Sequence, residues 1–260
     1  MPKSQIEKRY EKDPGNKRLI NKTQLYPDKN AERLVIGRDP ISHVYRWTHL
    51  LKWVAKLRNR ENFSVLDVGC GDMPLLKTMY TNRMHPHYYL GLDARNLTIS
   101  DSGVEPNFEA EFKQIDFVDN IPESKYGKWD LIAFLEVIEH VSKENGIKIL
   151  ENIKKVMNPD TYFFISTPIF DSKTMAANHI YEWKYEELKE QLESMFVIEK
   201  HYGTFSSQRE IEPVLSDCER EIFEKLKEYY DSNVLSIIFA PLYPAQSRNA
   251  IWRCRLKNGE

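Results

Sequence analysis

The chain has 260 residues, 41% hydrophobic and 29% charged, with a formal net charge of −2, which excludes a disordered or fibrous chain and suits one large domain with additions or two small ones. The longest apolar run, Val234 to Tyr243, is broken by Ser236 and Pro241 and is too short for a bilayer, and the start Met1-Pro2-Lys3-Ser4-Gln5 lacks the apolar core of a signal peptide. Cys70, Cys218 and Cys254 have no metal-type spacing, so the expected setting is a reducing cytoplasm with no membrane partner.

Charge is unevenly spread. Residues 1–60 hold 15 Lys and Arg against 6 Asp and Glu, whereas the remainder holds 22 against 33. Residues 1–39 therefore read as a basic N-terminal arm, which either contacts RNA or DNA phosphates or is a solvated tail. Asp39-Pro40 then supplies an N-cap and a first helical position. Ile41, Val44, Thr48, Leu51, Val54 and Leu57 recur at helical spacing, predicting an amphipathic helix over 40–58. Arg46 on this helix is available to a ligand carboxylate if the helix caps a pocket.

Ser64 to Met73 reads as a buried strand followed by a glycine turn, and Pro74 suits the first turn of a helix. Gly69 and Gly71 permit a sharp turn and close ligand approach. Such a corner binds nucleotides. The dinucleotide pattern is incomplete, because Pro74 holds the third glycine position, and this disfavours an NAD-dependent oxidoreductase. A second strand, 88–93, ends on Asp93, 22 residues after Gly71, where a carboxylate can accept from both hydroxyls of a ribose. A third strand, 112–117, carries Asp116 and Phe117 at its end.

The fourth strand, 130–135, delivers Glu136 into a crevice, and Glu136-x-x-Glu139-His140 follows. On a helical turn these three share a face, so two carboxylates and an imidazole can converge on one cation. A helix over 143–157 leads to a fifth strand, 161–167, closed by Pro168. Asn178-His179-Ile180-Tyr181-Glu182-Trp183 comes next, with His179 able to add a ligand. A helix at about 183–195 and strands at 196–202 and 250–256 complete the pattern. An insertion at about 206–246 carries a helix at about 214–230 and an aromatic, proline-containing run. Its Tyr229, Tyr230, Phe239 and Tyr243 either line an acceptor pocket or form the insertion's own core.

Alternating strands and helices predict an α/β fold, a doubly wound, seven-stranded, mostly parallel sheet. Asp67-x-Gly69-x-Gly71 resembles motif I of the class I S-adenosylmethionine (AdoMet) methyltransferases, and Asp93-Ala94 resembles their motif II. The resemblance covers about 60–205 plus 248–258. It implies a methyltransferase domain over 40–260 with the 206–246 insertion as a lid, and AdoMet as cofactor. It also implies that Asp67, Gly69, Gly71, Asp93, Ala94, Asp116, Phe117 and Glu136 line the cofactor site, joined by Arg46. Asp116 would accept from the adenine amine and Phe117 would flank the ring.

The segment Leu135 to His140 matches neither the Pro-Pro-Tyr/Phe signature of amino-methylating DNA enzymes nor the Pro-Cys of cytosine C5 enzymes. Glu136-x-x-Glu139-His140, with a later His179 before Glu182-Trp183, is similar to the metal site of small-RNA 2′-O-methyltransferases; ubiquinone-pathway O-methyltransferases carry a similar Glu-x-x-Glu-His. This likeness implies Glu136, Glu139, His140 and His179 as ligands of Mg2+ or Mn2+, with Glu139, His140 and His179 catalytic. In class I enzymes that bind no metal, Glu139 would instead cap a helix and His140 would pack on substrate or cofactor. The expected reaction is O-methylation of a hydroxyl on a small molecule, a nucleoside or an RNA end. The alternative is a non-catalytic AdoMet-binding or regulatory subunit.

Overall fold

The computed structural model describes residues 38–57, 63–171, 173 and 175–257 together with two short strands, β1 (Tyr26–Pro27) and β2 (Leu34–Val35), and it describes side chains from Arg46 onward. Most of the basic arm lies outside the described residues. Helix α1 (Arg38–Leu57) is followed by β3 (Ser64–Val68), α2 (Pro74–Thr81), β4 (Tyr88–Asp93) and β5 (Glu109–Gln114). Then come β6 (Leu131–Leu135), α3 (Lys143–Val156), β7 (Tyr162–Pro168), α4 (Tyr185–Met195) and β8 (Phe196–Phe205). Short helices α5 (Gln208–Ile211), α6 (Asp217–Leu226) and α7 (Ser232–Phe239) precede β9 (Asn249–Leu256).

Seven strands form one sheet in the order β5-β4-β3-β6-β7-β9-β8. Neighbours from β5 to β7 pair in parallel, and β9 runs antiparallel between β7 and β8. The chain reverses direction of travel across the sheet between β3 and β6, so the carboxyl ends of these strands border the crevice where α/β sheets bind ligands. Strand β3 is buried at every position, as a strand covered on both faces must be. Its alternate side chains feed two cores. Leu66 and Val68 join Ile149, Leu150 and Ile153 of α3 and Leu188 and Leu192 of α4 on one face. Val65 joins Leu50, Val54 and Leu57 of α1 and Leu75, Leu76 and Met79 of α2 on the other.

Three local expectations shift. The third strand starts earlier than 112 and spans Glu109–Gln114, leaving Asp116 and Phe117 in the turn beyond it. This is an edge strand, bonded only to β4, and its register follows Tyr88↔Glu109 and not its own sparse apolar pattern. The insertion helix spans Asp217–Leu226 and not about 214–230, because Ser216 caps it by accepting from Glu219 N, which ends the chain's freedom to start earlier. A further helix, Ser232–Phe239, runs into the aromatic, proline-containing run. Asp231 caps it, its side chain accepting from Asn233 N. The insertion has its own core of Ile211, Leu215, Phe223, Leu235 and Phe239, against which Tyr243 packs. Tyr229 and Tyr230 are instead 75% and 53% exposed.

The glycine turn shows why two of its residues lack side chains. Gly69 and Gly71 have φ of 70° and 56°, in the left-handed region. A Cβ on Gly69 would stand 2.4 Å from Cγ2 of Val137, in the segment after β6. Gly69→Ala is expected to lower stability by roughly 2 kcal/mol or more through steric overlap and backbone strain combined. Chemical denaturation checks this, and Val137→Ala in the same chain should recover only part of the loss because φ stays unfavourable.

Candidate active site

The first half of the site lies at the carboxyl ends of β3 and β4. Pro74 opens α2, as its fixed φ favours, and Met73 before it adopts a left-handed φ of 51°. Asp93 faces the glycine turn. Its Oδ2 accepts from Gly71 N at 2.9 Å, and its Oδ1 accepts from Arg95 N at 2.9 Å and from Arg95 Nε at 3.1 Å. Burial alone would raise the Asp93 pKa, but these donors outweigh it and hold the carboxyl below the usual range. Arg95 also approaches Asp72, at 3.4 Å. Arg95 escaped the sequence reading, although its place two residues after Asp93 could have marked it as a partner for that acid. Ala94 is exposed, and its carbonyl accepts from Gln114 at 3.0 Å.

Asp67 lies deeper than its neighbours. It is 4% exposed and accepts from the Tyr89 hydroxyl at 2.7 Å. Burial, only partly offset by that bond, pushes its pKa up to about 7. Asp116 is exposed, and its Oδ1 accepts from Val118 N at 3.0 Å, forming a tight turn. Phe117 is 8% exposed and packs edge-on against Phe134, with ring centroids 6.5 Å apart. Asn152 of α3 holds this turn, donating to Val118 O at 2.9 Å.

The second half lies beyond β6 and β7. Glu136 adopts a φ of 57°, unusual for a residue with a side chain. Its carboxylate is engaged on all sides: Oε1 accepts from Ser166 at 2.8 Å, and Oε2 accepts from Asn249 at 2.8 Å and lies 3.0 Å from Arg46 Nη2. Arg46 is 3% exposed, so α1 brings it to Glu136 in the interior. Thr204 donates in turn to Asn249 Oδ1 at 2.5 Å. Ser166, Thr204 and Asn249 were not singled out by sequence, since polar residues inside strands carry no spacing signal.

Glu139, His140 and His179 meet. One ligand atom from each lies within 4.8 Å of the others. The carboxylate of Glu136, three residues earlier, is held instead by Arg46, Ser166 and Asn249. Glu139 is 1% exposed and accepts from Thr167 Oγ1 at 3.1 Å. Its carbonyl accepts from Ile180 N at 2.8 Å, pinning the loop that carries His179. His140 Nδ1 lies 3.0 Å from Asn178 O, and His179 Nδ1 bonds Glu182. Each ring thus has one nitrogen anchored and Nε2 left to point elsewhere, the arrangement by which outer groups orient metal-binding imidazoles. Burial, and then the nearby Glu136 charge, push the Glu139 carboxyl well above its ordinary range. A buried acid in that position gains from a cation beside it.

A family model described as a methyltransferase domain matches residues 40–216. No curated protein sequence matches the chain. Among solved structures, the chain is similar to the small RNA methyltransferase HEN1, with a TM-score of 0.59 and 16% identity over 90% of this chain and 28% of that one. The chain thus spans little more than a quarter of that relative's length. It is also similar to magnesium protoporphyrin IX methyltransferase from Synechocystis PCC 6803 with bound SAH, at a TM-score of 0.58 and 12% identity over 97% and 99% of the two chains. N-methyltransferase NodS from Bradyrhizobium japonicum WM9, in complex with S-adenosylhomocysteine, gives 0.54 and 13% over 95% and 100%. At these identities the likeness is one of fold. Among the described residues, no helix is long and apolar enough to cross a membrane.

The buried acid beneath the turn predicts a pH dependence. With a folded pKa near 7 against 3.8 when unfolded, the folded state binds the extra proton between those values, so stability falls as pH rises through that window. Thermal unfolding of Asp67→Asn at intervals from pH 4 to pH 8 is expected to show a flatter profile than the parent chain.

Proposed function

The chain belongs to the methyltransferase-domain family and is an AdoMet-dependent methyltransferase; from that premise we propose that it methylates an oxygen, a hydroxyl of a small molecule, a nucleoside or an RNA end, beside the Glu139, His140 and His179 cluster. The observation that carries the reading is the convergence of one buried carboxylate and two pre-oriented imidazoles at the carboxyl edge of the sheet. Methyl transfer from a sulfonium is an in-line displacement whose chief needs are alignment and exclusion of water. An alcohol acceptor adds one more need, the removal of its proton.

Asp93 is proposed to receive the ribose hydroxyls of AdoMet, with Gly69 and Gly71 giving the backbone close access to its amino-acid end. Asp67, Ala94, Asp116 and Phe117 line the same carboxyl edge and belong to the proposed cofactor site. Asp67 acts there from beneath, by fixing Tyr89. Arg95 must release part of its hold on Asp93 as the ribose arrives. Glu136 and Arg46 are assigned a positioning role, because their charges satisfy one another.

The donor set of Glu139, His140 and His179 fits a divalent cation, and its two imidazoles favour Mn2+ over Mg2+. When bound, such an ion supplies a Lewis acid that lowers the pKa of a coordinated hydroxyl. Glu139 would hold it from the buried side and the two histidines from the open side. An imidazole Nε2 of the same cluster is also placed to take the acceptor's proton. A second reading needs no ion: His140 or His179 acts alone as general base, with Glu182 stabilising the charged His179 ring.

Two outcomes test this. Titration calorimetry with AdoMet is expected to show binding to the parent chain and a loss of roughly tenfold or more in Asp93→Ala, the scale of one or two charge-assisted hydrogen bonds. Unchanged affinity would remove Asp93 from the site. Methyl transfer to a panel of nucleosides and short RNAs should cease in excess chelator and return with manganese, and His179→Ala should weaken manganese binding measured by electron paramagnetic resonance. Full turnover in chelator would establish the metal-free reading.

A further inference from the structure

The insertion and the start of β9 border an open cleft of about 380 Å³ lined by Ser207, Gln208, Arg209, Asn233 and Arg248. Every lining side chain is polar, two are guanidinium groups and none is acidic. A cleft that size is large enough for a small polar group with its water. Yet it has none of the aromatic or aliphatic walls that hold a ring, so its chemistry is that of a charged group.

Two features give the cavity a sign. Arg209, at the start of α5, is exposed and has no ion-pair partner among the described residues. Arg248 lies at the root of β9; its Nη2 is 2.9 Å from Glu210 Oε1, while its Nε is shielded from solvent and has no hydrogen-bond partner. Glu210 thus neutralises one of the two cations and fixes its fork, and Arg209 remains as surplus positive charge. Planar guanidinium forks match the oxygens of phosphate, often two at a time. Asn233, Gln208 and Ser207 add neutral polar groups around the same space, although the Gln208 amide donates to Glu212 at 2.7 Å and the Ser207 hydroxyl to Glu210.

The cavity lies at the same carboxyl edge of the sheet as the cluster described above. Arg248 N donates to Phe205 O at 2.9 Å and its carbonyl accepts from Ile169 N at 2.8 Å, so it sits just past the carboxyl end of β7. The next residue, Asn249, holds Glu136. Ala250 pairs with Thr167, whose hydroxyl reaches Glu139. Arg248 is therefore about 7 Å along β9 from the strand position opposite Thr167. Arg248 and the strand position beside Thr167, the partner of Glu139, thus lie two residues apart at one edge of the sheet.

We propose that this cavity is a subsite for a phosphate group of the methyl acceptor, with Arg209 and Arg248 as its ligands. The proposal rests on the reading of an oxygen-methylating site at Glu139, His140 and His179. It narrows the acceptor to a phosphorylated hydroxyl compound, either a mononucleotide or sugar phosphate, or the last phosphodiester of an RNA 3′ end. A neutral nucleoside would leave the surplus charge of Arg209 unmatched.

The test is binding to the full chain saturated with S-adenosylhomocysteine, using adenosine, AMP and a 20-nucleotide RNA with a free 3′ end as probes. Parent and Arg209→Gln proteins are compared, the exposed position of Arg209 making a folding defect avoidable. Arg248→Lys keeps the charge but removes the fork. Expected is that AMP or the RNA binds the parent at least roughly tenfold better than adenosine, and that this advantage is lost in Arg209→Gln and reduced in Arg248→Lys. S-adenosylhomocysteine affinity should hold constant in both variants. An advantage for AMP identifies a small phosphorylated acceptor; one confined to RNA and falling steeply with salt identifies the polymer. Equal binding of AMP, RNA and adenosine, a phosphate advantage that survives Arg209→Gln, or no probe binding at all would overturn the subsite. Failure of the underlying reading shows separately, as no S-adenosylhomocysteine binding by the parent chain.

Discussion

A single carboxylate ties the molecule together. Glu136 leaves β6 with a φ of 57° and meets Arg46 from α1, Ser166 from β7 and Asn249 from β9. Its backbone N–H also donates to Ser166 O at 2.8 Å. Helix α1, two parallel strands and the antiparallel return strand therefore share one polar node at the carboxyl edge. A left-handed backbone costs about 1 kcal/mol or more in a residue with a Cβ. It persists here because four contacts to three residues over-determine it. Removing any one of them would leave a buried charge or donor unpaired, which costs more than the bond itself contributes.

The consequence of that node is directional. With Glu136 turned inward and satisfied, the chain reaches Val137, and Val137 fills the space where a Cβ on Gly69 would stand. The glycine turn after β3 and the turn after β6 are thus packed against one another. The short helical turn that follows carries Glu139 inward and His140 outward. The Glu139 carbonyl and the Asn178 carbonyl then lock the His179 loop to that turn from both sides. The two turns are therefore held in register by backbone contacts and packing.

The fold was largely legible because its strongest signals are periodic. Buried strands read as apolar runs, α1 and α3 as amphipathic stripes, and Gly69, Gly71 and Pro74 as punctuation that only certain backbone shapes require. Legibility failed where tertiary contacts, not local pattern, set the outcome. Strand β5 has one bonded neighbour and few apolar residues, so its register belongs to β4. Helix α7 begins at an Asp cap that the following aromatic run obscured. At the site, spacing correctly suggested that Glu139 and His140 would lie near one another, and His179 joined them across 39 residues of chain, counted from His140. Spacing could not show that Glu136 would turn the other way, because its partners Arg46, Ser166 and Asn249 come from three distant segments.

That division of labour between two acids three residues apart bears on how the site works. Glu136 and Glu139 begin the same turn, and in isolation both would compete for any cation brought near. Pairing Glu136 with Arg46 neutralises it and spends its lone pairs on Ser166 and Asn249. Glu139 accepts from the Thr167 hydroxyl and stays buried, with a carboxyl pushed toward its neutral form by burial and then by the Glu136 charge. The protein has thus placed the acid that burial holds toward its neutral form next to two histidines, and the acid paired with Arg46 next to the scaffold. A buried carboxyl of this kind is costly to ionise unless positive charge comes beside it.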